Sequence, residues 1–181
     1  MRAALDKLYL WSGYLAGLNL FITFAIMIIM SVGRGFALNI PDGTYFASWS
    51  MAALAFLGMG HTFKRGEMIR VGLLMEKLKG TPKQVAELLA LSVALIIMLY
   101  FTWHAFDYVR TSLRLHDMSD GILPIPLWIP QLSFLIGVVI LTIAVLDEWI
   151  HVARGNPPSF EKPPPKTTEE LLARVAEGGG V

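Results

Sequence analysis

The chain has 181 residues, of which 55% are hydrophobic and 16% charged, and its formal net charge is +1. Soluble domains contain about 45–50% apolar and about 25% charged residues, so the composition does not favour an ordinary soluble domain. No cysteine is present, which excludes a disulfide framework and a metal site built on thiolates.

The apolar residues are concentrated in four segments without Asp, Glu, Lys or Arg, residues 8–33, 43–63, 88–106 and 121–146. Each is long enough to span a membrane, and the predicted spans are drawn around them. They are about 19 to 26 residues long, and a helix needs about 20 residues to cross roughly 30 Å of hydrocarbon. The helices of a soluble bundle keep a polar face, which the stretch FITFAIMIIM of residues 21–30 lacks. We therefore predict an all-α integral membrane protein with four transmembrane helices, at about residues 8–33, 43–63, 85–108 and 124–149.

The first predicted span contains residues suited to contact with another helix. Gly13 and Gly17 have a spacing that lets two helix backbones approach closely. Asn19 lies within the same span, and an amide in hydrocarbon requires a hydrogen-bond partner. We expect all three to lie at helix contacts; the alternative for the glycines is that Gly is simply common in membrane helices.

The loop between the second and third spans, residues 64–83, carries six basic residues. Its apolar residues recur at helical spacing, which predicts a short basic amphipathic helix in the membrane interface. Arg70 has two interpretations: a charge whose side chain reaches the interface, or a partner of a carboxylate or of helix C-terminal carbonyls that locks this loop against the bundle. Gly80, Thr81 and Pro82 end this short helix, and Thr81 or Pro82 can begin the helix of the third span.

The end of the chain has a different composition. The proline-rich sequence that follows residue 154 is typical of an extended, disordered segment. We therefore predict a transmembrane domain over residues 1–154 and a disordered tail over residues 155–181.

Positive charge is distributed unevenly about the predicted spans. If both termini and the loop lie on one side, that side holds Arg2, Lys7, six loop residues and four after residue 153, which is twelve of the 15 Lys and Arg. Cytoplasmic loops are enriched in Lys and Arg, so we predict that both termini and the loop are cytoplasmic. The five Trp fit this topology, because each falls near a predicted span end.

Side chains that could carry catalysis or hold a cofactor are not grouped. A haem anchor needs two His at similar depth on facing helices, but His61 and His104 are predicted near opposite sides of the membrane. No phosphate-binding, metalloprotease or nucleophile-elbow motif occurs. Asp147 and Glu148 are expected at a span end, close to water, whereas ion-coupled transporters need such groups deep in the bilayer. We predict no catalytic, cofactor, metal or substrate residue, and therefore a subunit of a larger assembly.

Two stretches resemble a known family. Residues 65–74 read RGEMIRVGLL and residues 121–131 read GILPIPLWIPQ. They are similar to the middle loop, Arg-Gly-x-His-Ile-Arg-Val-Asp-Leu-Leu, and to the start of the last span in the small membrane subunit of tripartite ATP-independent periplasmic (TRAP) transporters. The resemblance covers about residues 5–152. Met68 and Gly72 stand where the family often has His and Asp.

The resemblance implies a function and its partners. We expect a small permease subunit in the bacterial inner membrane that scaffolds a large multi-span subunit, which carries the sodium and substrate sites. A periplasmic solute-binding protein would deliver an organic acid, and an ion gradient would drive its import. No nucleic-acid partner is expected. The residues expected to act in assembly and topology are Arg65, Gly66, Ile69, Arg70 and Val71.

Two alternatives to this function stay open at the level of sequence. One is the membrane anchor of a redox enzyme, which would show a haem spectrum. The other is a small membrane protein that associates only with itself.

Overall fold

The computed structural model describes residues 2–37, 41–65 and 81–156, excepting the side chains of residues 2–4, 81 and 82. These residues form four helices: α1, Arg2–Gly35; α2, Gly43–Arg65; α3, Thr81–Leu115; and α4, Trp128–Ala153. The described part of the chain contains no β-strand beyond an isolated bridge between Met118 and Pro126. The all-α prediction is confirmed for these residues.

Three of the helices are long and apolar enough to cross a membrane. They are the segments Leu5–Gly35 of α1, Lys83–Leu115 of α3 and Trp128–Ala153 of α4. Helix α2 has 23 residues, a length of about 35 Å at 1.5 Å per residue, but Ser, Thr, Gly and His61 dilute its apolar residues. Its crossing of the membrane therefore stays a prediction.

The helices extend beyond the predicted spans. Helix α3 begins at Thr81, one of the two residues predicted to begin it, but it continues to Leu115, beyond the predicted end of the third span at residue 108. Residues 107–115 include polar residues but neither Gly nor Pro, and the helix ends only where His116 adopts a left-handed φ of 54°. Helix α4 begins at Trp128, later than expected, and holds Pro130 in its first turn, where proline is tolerated.

The four helices pack as a row in the order α1, α2, α4, α3. Helix α1 packs on α2, α2 on α4, and α4 on α3, whereas α1 has only a slight contact with α4. Helix α4 buries 33% of its most apolar stretch, against 6% in α1 and 11% in α3. The core therefore lies along α2 and α4, and α1 and α3 form exposed edges.

Two glycines allow α2 and α4 to approach closely. A Cβ on Gly137 of α4 would lie 2.5 Å from the carbonyl carbon of Phe56, in the backbone of α2. A Cβ on Gly60 of α2 would lie 2.7 Å from Cγ2 of Ile140. Small residues at such contacts let helix backbones pack in lipid, so these two positions set the separation of the central pair.

We predict that Gly137→Ala destabilises the protein by about 1–3 kcal/mol, because the new methyl group meets backbone atoms that cannot move aside. Unfolding of the purified chain in mixed micelles measures the effect. Gly17→Ala is the matched control, since a Cβ there would have nothing within 4 Å. Equal stabilities for the two variants would contradict this account of the helix separation.

Candidate functional site

Charged side chains meet where α2 ends. We call this end of the helices, along their axes, the Lys64 end. Lys64 Nζ of α2 lies 3.1 Å from Asp147 Oδ2 of α4, and the two side chains are 21% and 14% exposed. The same ammonium lies 5.9 Å from the centre of the Tyr9 ring of α1. One cation therefore interacts with the helices on both sides of α2.

Two acidic side chains are buried at the same end of the helices. Glu148 of α4 is 2% exposed and Glu87 of α3 is 8% exposed, and each interacts with other groups in the chain. The expectation that Asp147 and Glu148 lie close to water is wrong for Glu148. It is buried because α4 is covered by α2 on one side and α3 on the other.

Polar groups also join α1 to α2 near the Lys64 end. The buried Ser12 hydroxyl donates a hydrogen bond to the carbonyl of Leu57. His61 Nδ1 lies 3.1 Å from the carbonyl oxygen of Tyr9, which requires Nδ1 to be the donor. Gly13 makes room for this imidazole, since a Cβ there would lie 2.9 Å from His61 Cγ. His61 thus has a structural role between two helices.

Two side-chain hydrogen bonds hold α3 against α4. Trp149 Nε1 donates to Ser92 Oγ at 2.8 Å. The hydroxyls of Thr102 and Thr142 lie 2.8 Å apart, and each also bonds a carbonyl of its own helix. Hydrogen bonds between helices stabilise packing in membranes by about 1 kcal/mol each.

At the opposite end of the helices, which we call the Asp42 end, one carboxylate joins the connection before α2 to the connection before α4. Asp42 lies just before α2 with a left-handed φ of 60°. Its carboxylate accepts hydrogen bonds from the N–H groups of Ile122 at 3.0 Å and Leu123 at 2.5 Å. Gly121 makes this possible, because a Cβ there would lie 2.4 Å from Asp42 Oδ1. Asp42 therefore fixes the segment before α4.

That segment is also held from within. Ser119 Oγ donates to the carbonyl of Leu123 at 2.8 Å and accepts from the N–H of Ile125 at 3.1 Å. Residues 121–126 belong to one of the two stretches that carry the family resemblance. The stretch could be identified from the sequence, but its contact with Asp42 could not. An acidic residue in a turn and a glycine 79 positions later carry no local signal that they pair.

Of the loop residues predicted to act in assembly, Arg65 lies within the described part of the chain. Arg65 is the last residue of α2 and interacts with other groups of the chain. Gly66, Ile69, Arg70 and Val71, together with the predicted amphipathic helix, lie outside the described residues.

The residues predicted for helix contacts on α1 have different surroundings. Gly13 lies against His61 of α2, whereas nothing lies within 4 Å of a Cβ on Gly17. Asn19 donates its side-chain N–H to the carbonyl of Leu15 in its own helix, at 2.9 Å. Among the described residues, no second helix therefore lies against the Cβ position of Gly17, and the side-chain amide of Asn19 bonds to its own helix.

The described histidines make different contacts. His61 faces a carbonyl, and the ring of His104 packs edge-on against Tyr100 at 4.4 Å between centres. Within the described ranges, no group of three His, Asp or Glu is placed to hold a metal ion.

We predict that Asp147→Leu destabilises the protein by about 1–3 kcal/mol, because it leaves the partly buried Lys64 ammonium without its partner. Adding Lys64→Met should restore most of the loss, since an apolar pair can replace an ion pair of similar size. Unfolding in mixed micelles measures both, with Asp107→Leu as a control at an exposed carboxylate. A single variant as stable as the control would contradict the role of this ion pair.

Removal of the Asp42 carboxylate should loosen the segment before α4. We expect Asp42→Ala to speed hydrogen exchange at the Ile122 and Leu123 amides about tenfold or more, because each loses a charge-assisted hydrogen bond. Hydrogen exchange followed by mass spectrometry measures this. Asp120→Ala removes an exposed carboxylate from the same connection and should leave the exchange unchanged; equal exchange in both variants would refute the contact.

Comparison with known proteins identifies the family. The chain matches the family model described as "Tripartite ATP-independent periplasmic transporters, DctQ component" over residues 9–155, which include most of the four helices. Neither the comparison with curated proteins nor that with solved structures gave a match. The match confirms the resemblance seen in residues 65–74 and 121–131, and gives no support to a redox-enzyme anchor. The chain belongs to the DctQ family, the small components of TRAP transporters, which are transporter subunits and not enzymes.

Proposed function

We propose that the chain is the small permease subunit of a TRAP importer and scaffolds the large, ion-coupled membrane subunit. The import is secondary-active and sodium-coupled, and its substrate is an organic acid delivered by a periplasmic solute-binding protein. The observation that carries the proposal is the family match over residues 9–155, in a chain with three membrane-length helices.

The placement of the polar groups supports a static role. The ion pair of Lys64 with Asp147 joins α2 to α4, and the pair Thr102 and Thr142 joins α3 to α4. These groups bond helices of the same chain to one another. Groups used in this way stabilise a fixed arrangement, which is what a scaffold requires.

The exposed edges of the row support a partner in the membrane. Large apolar side chains on α1 and α3 are exposed, among them Phe21 at 67% and Trp103 at 72%. Gly17 and Asn19 lie on α1. A small residue such as Gly17 lets a helix of the large subunit approach this edge closely. We propose that Gly13 and Asn19 act with Gly17 in positioning α1 for that contact.

We propose that α2 is the fourth span and that both termini and residues 64–83 are cytoplasmic, in the inner membrane. The packing of α2 between α1 and α4 supports this topology, as does the charge of Lys64 and Arg65 at its end. Residues 1–154 then form the transmembrane domain and residues 155–181 the cytoplasmic tail.

The ion pair lies next to the start of the family motif. Lys64 is bound to Asp147, and Arg65 follows it directly as the last residue of α2. We propose that Arg65, Gly66, Ile69, Arg70 and Val71 position the cytoplasmic loop and contact the large subunit. The ion pair would thereby fix where this loop leaves the helix.

Purification of the tagged chain from its native membranes in mild detergent tests the proposal. We expect a large multi-span protein to accompany it in stoichiometric amount. Arg70→Ala should reduce that recovery by about tenfold, the effect of losing one hydrogen bond to a charged group. Arg174→Ala, which removes the same charge from the tail, is the matched control.

A chain that is recovered alone would contradict the proposal and favour the self-associating alternative. A haem absorbance band, with a soluble redox protein in the same fraction, would favour the membrane-anchor alternative. Unchanged recovery and expression for Arg70→Ala would refute the role of this residue while leaving the transporter assignment intact.

A further inference from the structure

A groove with a volume of about 340 Å³ opens between α2 and α3, near the Asp42 end of the helices. Helices α2 and α3 both pack on α4 and not substantially on each other, so the start of α4 forms the floor. Trp49, Ala52 and Phe56 of α2 line one wall and Tyr108 of α3 lines the other. The lining is mostly apolar and aromatic.

Gln131 is the polar side chain of the floor. Its Oε1 atom is buried and has no hydrogen-bond partner among the described residues. Its Nε2 atom also has no such partner, but it is not among the buried unpaired atoms. The amide N–H₂ group is therefore the donor that a molecule in the groove can reach.

A second unpaired group lies at the same level of the helices. Thr102 of α3 bonds to Thr142 of α4 and Ser92 of α3 to Trp149 of α4, so the two helices are antiparallel. Ten residues further along α3 is Ser112, and ten residues back along α4 is Leu132, the neighbour of Gln131. Ser112 Oγ is likewise buried without a partner in the described part of the chain. Ser112 does not line the groove, so Gln131 carries the unpaired amide that faces an occupant.

The size and lining of the groove fit a lipid. Pockets for small molecules begin near 300 Å³, and this groove reaches that volume. Trp and Tyr rings favour the level where lipid headgroups meet hydrocarbon, and Trp49 and Tyr108 both line the groove. At that level the available narrow molecule is a lipid, whose ester carbonyls lie between the headgroup and the acyl chains.

We propose that this groove binds one diacyl glycerophospholipid. An acyl chain lies against Ala52, Phe56 and Phe134, and an ester carbonyl accepts a hydrogen bond from Gln131 Nε2. The site goes beyond the transporter role, and it does not depend on that role.

Native mass spectrometry of the delipidated full-length chain, titrated with palmitoyl-oleoyl phosphatidylethanolamine, tests the site. We expect one tightly bound lipid. The diether analogue lacks ester carbonyls and should bind roughly 2- to 10-fold more weakly, the effect of one hydrogen bond. Gln131→Leu should abolish the difference between the two lipids. Ala52→Phe should fill the slot and weaken binding at least about tenfold.

Ala55→Phe is the matched control, since Ala55 lies in the same helix and is exposed outside the groove; this variant should bind like the native chain. Equal binding of the diester and diether lipids by the native chain would overturn the proposal, as would unchanged binding by Ala52→Phe. Cross-linking of an Ala52→Cys variant to another membrane protein in native membranes would show a protein occupant and overturn it as well. The lipid comparison with Gln131→Leu decides the matter if Ala52→Phe does not fold.

Discussion

The close approach of α2 and α4 determines where every other helix lies. In a bilayer, apolar side chains gain little by leaving lipid for protein, so helix association depends on packing and hydrogen bonds. Gly137 presses against the backbone of Phe56, and Gly60 against Ile140. With this pair in contact, α1 has only the free side of α2 to pack on, and α3 only the free side of α4. The result is an open row and not a closed bundle.

Polar contacts hold α2 and α4 together at both ends of the helices. At one end the ion pair of Lys64 and Asp147 joins the last turn of α2 to α4. At the other end the Asp42 carboxylate accepts hydrogen bonds from the N–H groups of Ile122 and Leu123, which tie the connection before α2 to the connection before α4. The central pair is thus fixed at both ends, which suits a subunit whose proposed role is to support a moving partner without moving itself.

Much of the fold could be predicted because its signals are local. The charge-free runs predict the helices, and the turn chemistry of residues 80–82 predicts the start of α3 at Thr81. Helix α3 continues to Leu115, past the predicted span end at residue 108, because polar residues do not end a helix where neither Gly nor Pro interrupts it. The membrane crossing of α2 stays a prediction, because Ser, Thr and Gly residues dilute the hydropathy of this helix.

The site contacts could not be predicted, because each joins residues that are distant in sequence. Lys64 and Asp147 are separated by 83 positions, and nothing in the residues around either one identifies the other. Gly137 gives no sign in sequence that it faces Phe56. The family, in contrast, could be recognised from two short stretches, since their residue order is itself the signal; the model match over residues 9–155 confirms it.

Substrate uptake tests the proposed scaffold role most directly. The large subunit that accompanies the chain would be reconstituted in vesicles with and without the chain, and supplied with the binding protein and its radiolabelled organic acid under an inward sodium gradient. We expect uptake only when the chain is present, collapse of that uptake when the gradient is dissipated, and no requirement for ATP. Equal uptake without the chain would contradict a scaffold role, and uptake that needs ATP would contradict the transporter mechanism.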